Sequence, residues 1–389
     1  MCPVDEIHSL VERIIDRVPI TRVADITPLD SSDVPVFAAI SPLARDLTTH
    51  LGKGLDKRSA RVSAIMEAVE RVSAEQTSRP CRRATHEELR CAGVNVADPL
   101  CFDLSPRTTY RANSHFEWVE GWDLIAARPV WILADLARSP AQEGVLDQVD
   151  TNGLAAGATY GEAIRHALLE VVERDAVSQH QFFELYGEEG SIEPQKFRID
   201  PNSIPESAKI LVERAVQMEL EVVLEDLCSD IGVPVIACTL IDYGFPSVQG
   251  PTIHMFAGWG ADPVAEVAVG RAMTEAFQSR AGVIQGARDS FNSVPPTARP
   301  FTASVRRRIL EAAPLGHFSV NGSLETGEIG EEVDHVLDGL RSVGIDQAIV
   351  IDMGRADLCV PVVRVRVPGL SAFVMDRRRL GWRCARHLL

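Results

Sequence analysis

Several patterns that would assign this chain to a common functional class are missing from it. The eight cysteines form no Cys-x-x-Cys pair, which excludes a zinc knuckle or a redox pair of that kind. No apolar run reaches the roughly 20 residues that a membrane helix needs. Acidic residues outnumber basic ones by 55 to 39, for a formal charge of -16, which argues against a general nucleic-acid binder because such proteins present a basic surface to phosphates. The basic residues include only a few lysines: Lys53, Lys57, Lys196 and Lys209.

The composition that remains is that of a folded protein with a large core. The chain has 389 residues, of which 46% are hydrophobic and 24% charged, enough for one large domain. The residues after Met1 are neither basic nor apolar enough for a signal peptide. We therefore expect a cytoplasmic protein with reduced cysteines and with neither a membrane nor a nucleic-acid partner. The turn-rich breaks are too short for flexible linkers, so we expect an N-terminal element at 1–45 and one catalytic domain at 46–389.

Periodicity predicts a mixed α/β protein. Short alternating or β-branched runs are typical of strands, and apolar residues at helical spacing predict amphipathic helices. The predicted strands lie at 116–122, 129–136, 221–227, 233–241, 253–259, 347–353 and 360–367. The predicted helices lie at 57–76, 161–184, 205–219, 263–281 and 331–342.

One helical pattern occurs three times. Its copies run from Ser63 to Arg71, from His166 to Arg174 and from Arg271 to Arg280. Each copy has alanine second, glutamate fifth and glutamate or glutamine eighth. The fifth-position glutamates, 103 and 105 residues apart, are Glu67, Glu170 and Glu275. A near-constant period of this length indicates a pseudo-repeated fold.

The first two copies carry paired carboxylates. Positions i and i+3 lie on one face of a helix, so Glu67 can act with Glu70, and Glu170 with Glu173. Four carboxylates in one space repel each other unless a cation intervenes, and Mg²⁺ prefers hard oxygen ligands together with substrate phosphates. The pattern therefore predicts a nucleoside triphosphate bridged by magnesium. Its phosphate oxygens can accept charge-assisted hydrogen bonds from arginines: Arg71, Arg174, Arg271 and Arg280.

A simpler interpretation applies to any single copy. A Glu-x-x-Glu-Arg string on an amphipathic helix is usually a solvated face with local ion pairs, but three copies at even spacing favour a functional site. Gly54 and Gly157 each precede a fifth-position glutamate by 13 residues, and loop-helix units of this kind direct backbone N–H groups at anions. Lys53 lies beside Gly54 in a string that is not a common phosphate loop. We keep it as a candidate because this chain otherwise prefers arginine.

These runs resemble the nucleotide-binding signatures of the YcaO family. The runs GKGLDKRSARVSAIMEAVER, TNGLAAGATYGEAIRHALLEVVERDAV and GRAMTEAFQSR are similar to its three signatures, in the same order. The segments EWVEGWDLIAARPVWILADL and GIDQAIVIDMGRADLCVPVVRVRVPGL also resemble the body of the family, so that the resemblance covers about residues 20–389. It implies the YcaO fold, an α/β fold with pseudo-repeated loop-helix units around mixed β-sheets. It also implies an ATP and magnesium site at the seam of that fold.

The resemblance implies a role for each candidate residue. Magnesium would be held by the paired carboxylates of Glu67, Glu70, Glu170 and Glu173. ATP would be contacted by Ser63, Glu162, Arg271, Glu275, Gln278 and Arg280. The expected catalytic cations are Lys53, Arg71 and Arg174. One departure is visible: many relatives carry a polar residue, often Asn, at the position of Ala158.

The reaction that the resemblance implies is the activation of a peptide amide. The γ-phosphoryl group of ATP is transferred to the amide oxygen, which turns a poor leaving group into phosphate. A Cys, Ser or Thr side chain as the nucleophile gives an azoline ring, and a sulfide equivalent gives a thioamide. Azoline-forming relatives often end in a proline-rich tail, whereas this chain ends in Arg386-His387-Leu388-Leu389. This difference favours the thioamide branch.

The resemblance also implies partners. The VPVVRVRVPGL segment is similar to YcaO proteins that work beside a TfuA protein, so a TfuA-like partner is expected. Residues 1–45 show no peptide-recognition module, and a separate precursor-recognition protein is therefore expected to deliver the peptide substrate. We expect the enzyme itself to be a homodimer.

Two other classes of protein stay open at this point. A non-catalytic YcaO-like scaffold that binds a peptide would be expected to have lost some acidic ligands, and here all four are present. An ATP-dependent ligase or pyrophosphatase built on similar acidic helices would release AMP and pyrophosphate. Amide phosphorylation would instead release ADP and phosphate.

Overall fold

The described residues form a mixed succession of helices and strands. The computed structural model describes residues 4–76, 79–244, 255–287, 310, 315–318, 323–324 and 327–389. Its α-helices are α1 (Val4–Ile14), α2 (Lys57–Ala74), α3 (His86–Cys91), α4 (Ala134–Ala137), α5 (Tyr160–Tyr186), α6 (Glu206–Gln217), α7 (Ala265–Gln285), α8 (Ile329–Ser342) and α9 (Trp382–Ala385). Short 3-10 helices lie at Ile15–Arg17, Thr27–Leu29, Pro99–Phe102 and Arg386–Leu388.

The strands of the described part form three sheets. They are β1 (Arg22–Asp25), β2 (Val36–Ile40), β3 (Thr49–Lys53), β4 (Cys81–Ala84), β5 (Phe116–Asp123), β6 (Arg128–Leu133), β7 (Leu154–Ala156), β8 (Phe197–Ile199), β9 (Glu221–Asp226), β10 (Val235–Ile241), β11 (Met255–Ala261), β12 (Leu315–Gly316), β13 (Ile349–Asp352) and β14 (Val362–Arg366). The strand orders are β1-β2-β3, β11-β10-β9-β8-β12 and β4-β5-β13-β14-β7, with β6 also paired to β5. Each sheet therefore has an edge strand that leads into a helix of the repeated pattern: β3 into α2, β7 into α5 and β11 into α7.

Small residues let these helices lie close to their sheets. A Cβ atom on Gly52 would lie 2.0 Å from the backbone nitrogen of Ala64, and one on Gly258 would lie 2.4 Å from the carbonyl oxygen of Ala272. Ala64 and Ala272 are the second residues of their pattern copies, and both are fully buried, as is Ala167 in the other copy. The alanine at this position therefore faces the protein interior, and in the first and third copies it permits the close approach of helix and strand.

Each of the three helices lies at the centre of its own hydrophobic core. Ile65 of α2 belongs to a core with β5, β6 and β13. Leu169 of α5 belongs to a second core with α8 and β14. Phe277 of α7 belongs to a third with α6 and strands β9 to β11. All three side chains have no solvent exposure, so burial of these faces fixes the rotation of each helix about its axis.

The mixed α/β class and all five predicted helices agree with the structure. The predicted strands also correspond to observed ones, although residues 253–254 of one prediction lie outside the described residues. Strand β1 pairs with β2, and β2 pairs with β3, so the first sheet extends across residue 45, and the division at that position stays a prediction. None of the helices in the described ranges combines the length and the apolar character needed to cross a membrane.

Candidate nucleotide and metal site

The three pattern-bearing helices border one cavity of about 690 Å³. The edge strands β3, β7 and β11 contribute further residues to its wall. All but one of the residues singled out from the sequence line this cavity: Lys53, Ser63, Glu67, Glu70, Arg71, Glu162, Glu170, Glu173, Arg174, Arg271, Glu275 and Gln278. The fold therefore brings together residues that are more than 200 positions apart in the chain.

The fifth-position glutamates of α2 and α5 are oriented by backbone groups in the edge strand of their own unit or next to it. The backbone N–H of Leu51 donates to Glu67 at 3.1 Å. The backbone N–H of Gly153 donates to Glu170 at 3.2 Å. A carboxylate has several acceptor positions, so these backbone hydrogen bonds fix the direction of each carboxylate and leave it able to accept further bonds.

The eighth-position residues reach the next unit, and together they close a cycle. Glu70 links the first unit to the second, Glu173 links the second to the third, and Gln278 links the third back to the first. Gln278 meets a carbonyl oxygen, which needs a donor that a carboxylate cannot supply, and this explains the glutamine in the third copy. The three hydrogen bonds run from the Ala156 N–H to Glu70 (2.8 Å), from the Ala261 N–H to Glu173 (2.9 Å) and from the Gln278 side chain to the Leu51 carbonyl (2.5 Å).

Helical phase decides which further residues face the cavity. Residues four before and four after the fifth-position glutamate lie on the same face of each helix. The residues four positions before the glutamate line the cavity and differ in chemistry: Ser63, His166 and Arg271. The residues four positions after the glutamate also line the cavity: Arg71, Arg174 and Ser279. His166 and Ser279 were not among the site residues predicted from the sequence, although an alignment of the three copies contains both.

Arg280 is the predicted site residue that does not line the cavity. It lies five residues after Glu275, so it is turned by about 100° from the residue four after. It donates to Asp30 and to Asp242, the latter at 2.8 Å, and its guanidinium lies 5.7 Å from the ring centre of Phe256. This position links α7 to the segment before β2 and to the five-stranded sheet. It does not support the predicted contact with ATP.

Two cations share one carboxylate at the third helix. Lys53 forms an ion pair with Glu275. Arg174 lies 3.9 Å from Glu275 and 3.3 Å from Glu173, and its guanidinium lies 5.5 Å from the ring centre of Trp259. A guanidinium over an indole ring is stabilised by a cation–π interaction, which holds Arg174 toward the cavity. No sequence pattern pointed to Trp259, because a lone tryptophan in a strand is usually part of the core.

A third cation of the cavity lies on α2. The guanidinium of Arg71 donates to Asp46 at 3.1 Å and to Glu67 at 3.4 Å. Burial alone would lower the pKa of Arg71, but these two carboxylates raise it above its usual value. Arg71 therefore stays charged and is held by one residue of the acidic helix and one residue outside the repeated pattern.

Three of the cavity carboxylates have raised pKa values. The pKa of Glu70 is raised to about 8, mainly by burial and also by the neighbouring carboxylates of Glu67 and Glu170, against the effect of its backbone hydrogen bond. Burial likewise raises the pKa of Glu170 to about 7 and raises that of Glu173. The pKa of Glu275 is lowered instead, because the nearby Lys53 and Arg174 outweigh its burial. A hard cation among the first three carboxylates would therefore replace protons.

These pKa shifts predict how stability depends on pH. Glu70 has a folded-state pKa of about 8 against an ordinary value of 4.5, so the folded protein binds more protons than the unfolded chain across that window. Its contribution to stability is therefore lost as pH rises toward 8. We expect Glu70→Gln to be more stable than the wild type at pH 8 and to match it at pH 5, as measured by urea unfolding in EDTA. The exposed Glu120→Gln is the control, and a wild-type advantage at pH 8 would contradict the prediction.

The residues present fit magnesium, provided that a phosphate completes its coordination. Within the described residues, no group of three or more His, Cys, Asp or Glu side chains forms a ready-made metal site. Mg²⁺ in phosphoryl-transfer sites is usually held by one or two carboxylates together with substrate phosphates and water. Two carboxylate pairs around a cavity wide enough for a nucleotide meet that requirement.

Paired carboxylates and basic side chains around one cavity define a site for a triphosphate with a hard cation. The chain belongs to the YcaO family, since residues 51–371 match the family described as YcaO cyclodehydratase, ATP- and Mg²⁺-binding. The family resemblance drawn from the three runs is thereby confirmed. The expectation of ATP and magnesium is confirmed at the level of the family.

Similar proteins support the same assignment. The solved structure of YcaO from Methanopyrus kandleri, bound with AMPPCP and Mg²⁺, has 27% sequence identity and a TM-score of 0.75, and the match covers 98% of this chain and 94% of that one. This match confirms the predicted fold. An uncharacterized protein of Methanothermobacter thermautotrophicus is 33% identical over 381 residues, 95% of this chain and 94% of that protein. A Rhizobium leguminosarum bv. trifolii protein, described as lying in the tfuA 3′ region, is 30% identical over 372 residues, 90% and 84% of the two chains.

Proposed function

We propose that this protein uses ATP and Mg²⁺ to phosphorylate a backbone amide oxygen of a peptide or protein, with release of ADP and phosphate. A sulfur donor then replaces the activated oxygen to give a thioamide. The observation that carries the proposal is the cyclic arrangement of Glu70, Glu173 and Gln278, which directs carboxylates and cations of three helices into one cavity. Catalysis at such a site consists mainly of positioning and electrostatic stabilisation.

The side chains of the cavity would divide the work between metal and phosphate. Magnesium would be held by carboxylates of the two acidic helices: Glu67, Glu70, Glu170 and Glu173. Bound Mg²⁺ and ATP would supply the phosphoryl group and neutralise part of its charge. Arg174 and Lys53 lie where they can donate to phosphate oxygens, and Arg174 is oriented by Trp259. Glu275 keeps both cations at the cavity wall in the absence of a nucleotide.

The choice of a thioamide product is supported by the neighbourhood of a relative. The Rhizobium protein lies in the tfuA 3′ region, and a TfuA-like partner is part of this proposal. The description of the family as a cyclodehydratase favours a second candidate, the formation of an azoline from a Cys, Ser or Thr side chain. The precursor-recognition protein and the homodimer stay predictions.

Mass spectrometry of a modified peptide separates these candidates. The enzyme would be incubated with ATP, Mg²⁺, sulfide, the TfuA-like protein and peptides encoded near its gene. A thioamide adds about 16 Da and an azoline loses about 18 Da, by the exchange or loss of atoms that follows amide activation. A loss of water would assign the protein to the azoline branch. Release of AMP and pyrophosphate would overturn amide phosphorylation altogether.

The third helix carries its own prediction. Glu275→Ala should raise the KM for ATP by about tenfold, because Lys53 and Arg174 lose the carboxylate that orients them. The measurement is ATP turnover as a function of ATP concentration. Glu266→Ala on the exposed face of the same helix should leave KM unchanged. An unchanged KM in Glu275→Ala would return Glu275 to a purely structural role.

A further inference from the structure

We propose that the outer edge of β11 binds the peptide substrate as an added β-strand, held by the outward-facing backbone groups of Ala257 and Trp259. The inference rests on the proposed function in one respect, that the substrate is a peptide. It adds where the peptide backbone lies and which groups of the enzyme hold it.

Hydrogen bonding along β11 determines which of its backbone groups face outward. The N–H of Asp262 donates to the carbonyl of Pro234 at 3.2 Å, on the side of β10. Because an antiparallel pair alternates in this respect from one residue to the next, Ala261 and every second residue before it direct their N–H and C=O groups away from β10. The N–H of Ala261 donates to Glu173, as this alternation requires. Trp259 and Ala257 have the same orientation and line the cavity.

On the other two sheets, an edge residue that faces the cavity is already bonded to side chains. Leu51 of β3 uses its N–H for Glu67 and its C=O for Gln278. The N–H of Ala156 in β7 is used by Glu70. On β11 the corresponding hydrogen bond to a side chain is made by the N–H of Ala261. In the described part of the chain, the outward backbone groups of Ala257 and Trp259 have no hydrogen-bond partner.

The outward backbone groups recur at the repeat of a β-strand. Ala257 and Trp259 are two residues apart, about 6.8 Å along a strand, and each offers one donor and one acceptor. An extended peptide matches this pattern, and strand addition to a sheet edge gives affinity through main-chain hydrogen bonds. The close contact of Gly258 with α7 keeps the edge in place.

The position of the edge suits the proposed chemistry. Trp259 contacts Arg174, and Ala261 contacts Glu173, so a strand added here would run beside the two residues expected to hold phosphate and metal. A backbone amide of that strand would be presented to the phosphoryl group. Recognition by main-chain groups would accept many peptide sequences, so specificity would come from another element or a partner protein.

A proline substitution tests the proposal without removing a side-chain contact. Peptides would be selected from a displayed random dodecapeptide library on the full-length protein with AMPPCP and Mg²⁺, and their affinities measured by fluorescence anisotropy. Ala257→Pro removes one outward N–H, and proline is tolerated at edge positions whose N–H is not part of the sheet. It should weaken peptide binding about tenfold. Ala257→Val keeps the N–H and should stay within about twofold, and AMPPCP affinity should be equal in all three proteins.

Several outcomes would overturn the proposal. One is that Ala257→Pro and the wild type bind the peptide with equal affinity. Another is that Ala257→Pro loses affinity for AMPPCP, which would assign the edge to the nucleotide. The third is that the library yields no binder. If thermal unfolding shows that Ala257→Pro does not fold, the test uses the wild-type protein and selected peptides in which every second backbone amide is N-methylated. The proposal is then overturned if the methylated and unmethylated peptides bind with equal affinity. A peptide that is modified in an ATP-dependent manner but binds independently of Ala257 would overturn this inference alone. The absence of any ATP-dependent modification would count against the proposed function instead.

Discussion

Glu70→Gln and Glu173→Gln should each lower ATP turnover by roughly a thousandfold or more. Each glutamate is expected to bind magnesium with one oxygen while the other accepts a backbone N–H, from Ala156 and Ala261 respectively. Glutamine is nearly the same size, so packing is preserved, but its amide is a neutral and weaker ligand. The measurement is the rate of ADP release with and without Mg²⁺.

The control separates a lost ligand from a lost fold. Glu120→Gln removes an exposed carboxylate on β5 and should retain wild-type turnover. Glu70→Gln should stay folded, because burial raises the pKa of Glu70 to about 8 and an uncharged side chain is favoured there. Near-normal, magnesium-dependent turnover in either variant would remove that residue from the metal set.

Asp150→Asn should destabilise the protein by about 3–5 kcal/mol. Asp150 is 4% exposed, and its carboxylate accepts from Arg366 at 3.0 Å and from Arg379 at 2.6 Å. Burial would raise the pKa of Asp150, but Arg366, Arg379 and Arg364 hold it well below its usual range. Asparagine would leave these buried guanidinium groups without their shared carboxylate. Urea unfolding at pH 7 measures the loss.

A surface pair provides the comparison for Asp150. Asp338 has a 74% exposed side chain and pairs with Arg341 on α8, and such pairs contribute about 0–1 kcal/mol. Asp338→Asn should therefore have little effect. If Asp150→Asn costs no more than Asp338→Asn, the buried cluster does not stabilise the fold.

The arginine cluster also lies behind the acidic helix α5. Arg364 is fully buried and donates to the backbone carbonyls of Ala137 and Asn152. Burial lowers the pKa of Arg364 to about 9, and the nearby Glu170 opposes that shift. Positive charge behind Glu170 helps it to ionise, so loss of Asp150 should also alter the response of the cavity to magnesium.

The local patterns were predictable because they depend on short-range periodicity. The five helices follow from apolar residues at 3.6-residue spacing, and that spacing places Glu67 beside Glu70 on one face. The even distance between Glu67, Glu170 and Glu275 indicated that the three units share a function. The set of residues around the cavity was therefore largely contained in the sequence.

The cyclic order of the three units was decided only by the tertiary structure. Periodicity shows that a helix has a polar face, but not which strand that face meets. The hydrogen bond from Gln278 to Leu51 joins residues 227 positions apart, and the cluster at Asp150 joins strand and C-terminal residues in the same way.

The sequence by itself determined the family, the paired carboxylates and their common face, because these depend on residue type and helical spacing. The tertiary structure alone decided that Arg280 faces Asp30 and Asp242 while Ser279 faces the cavity. It also decided that Trp259 lies under Arg174. The physical reason is that burial of the apolar face fixes the rotation of each helix, and a difference of one residue turns a side chain by about 100°.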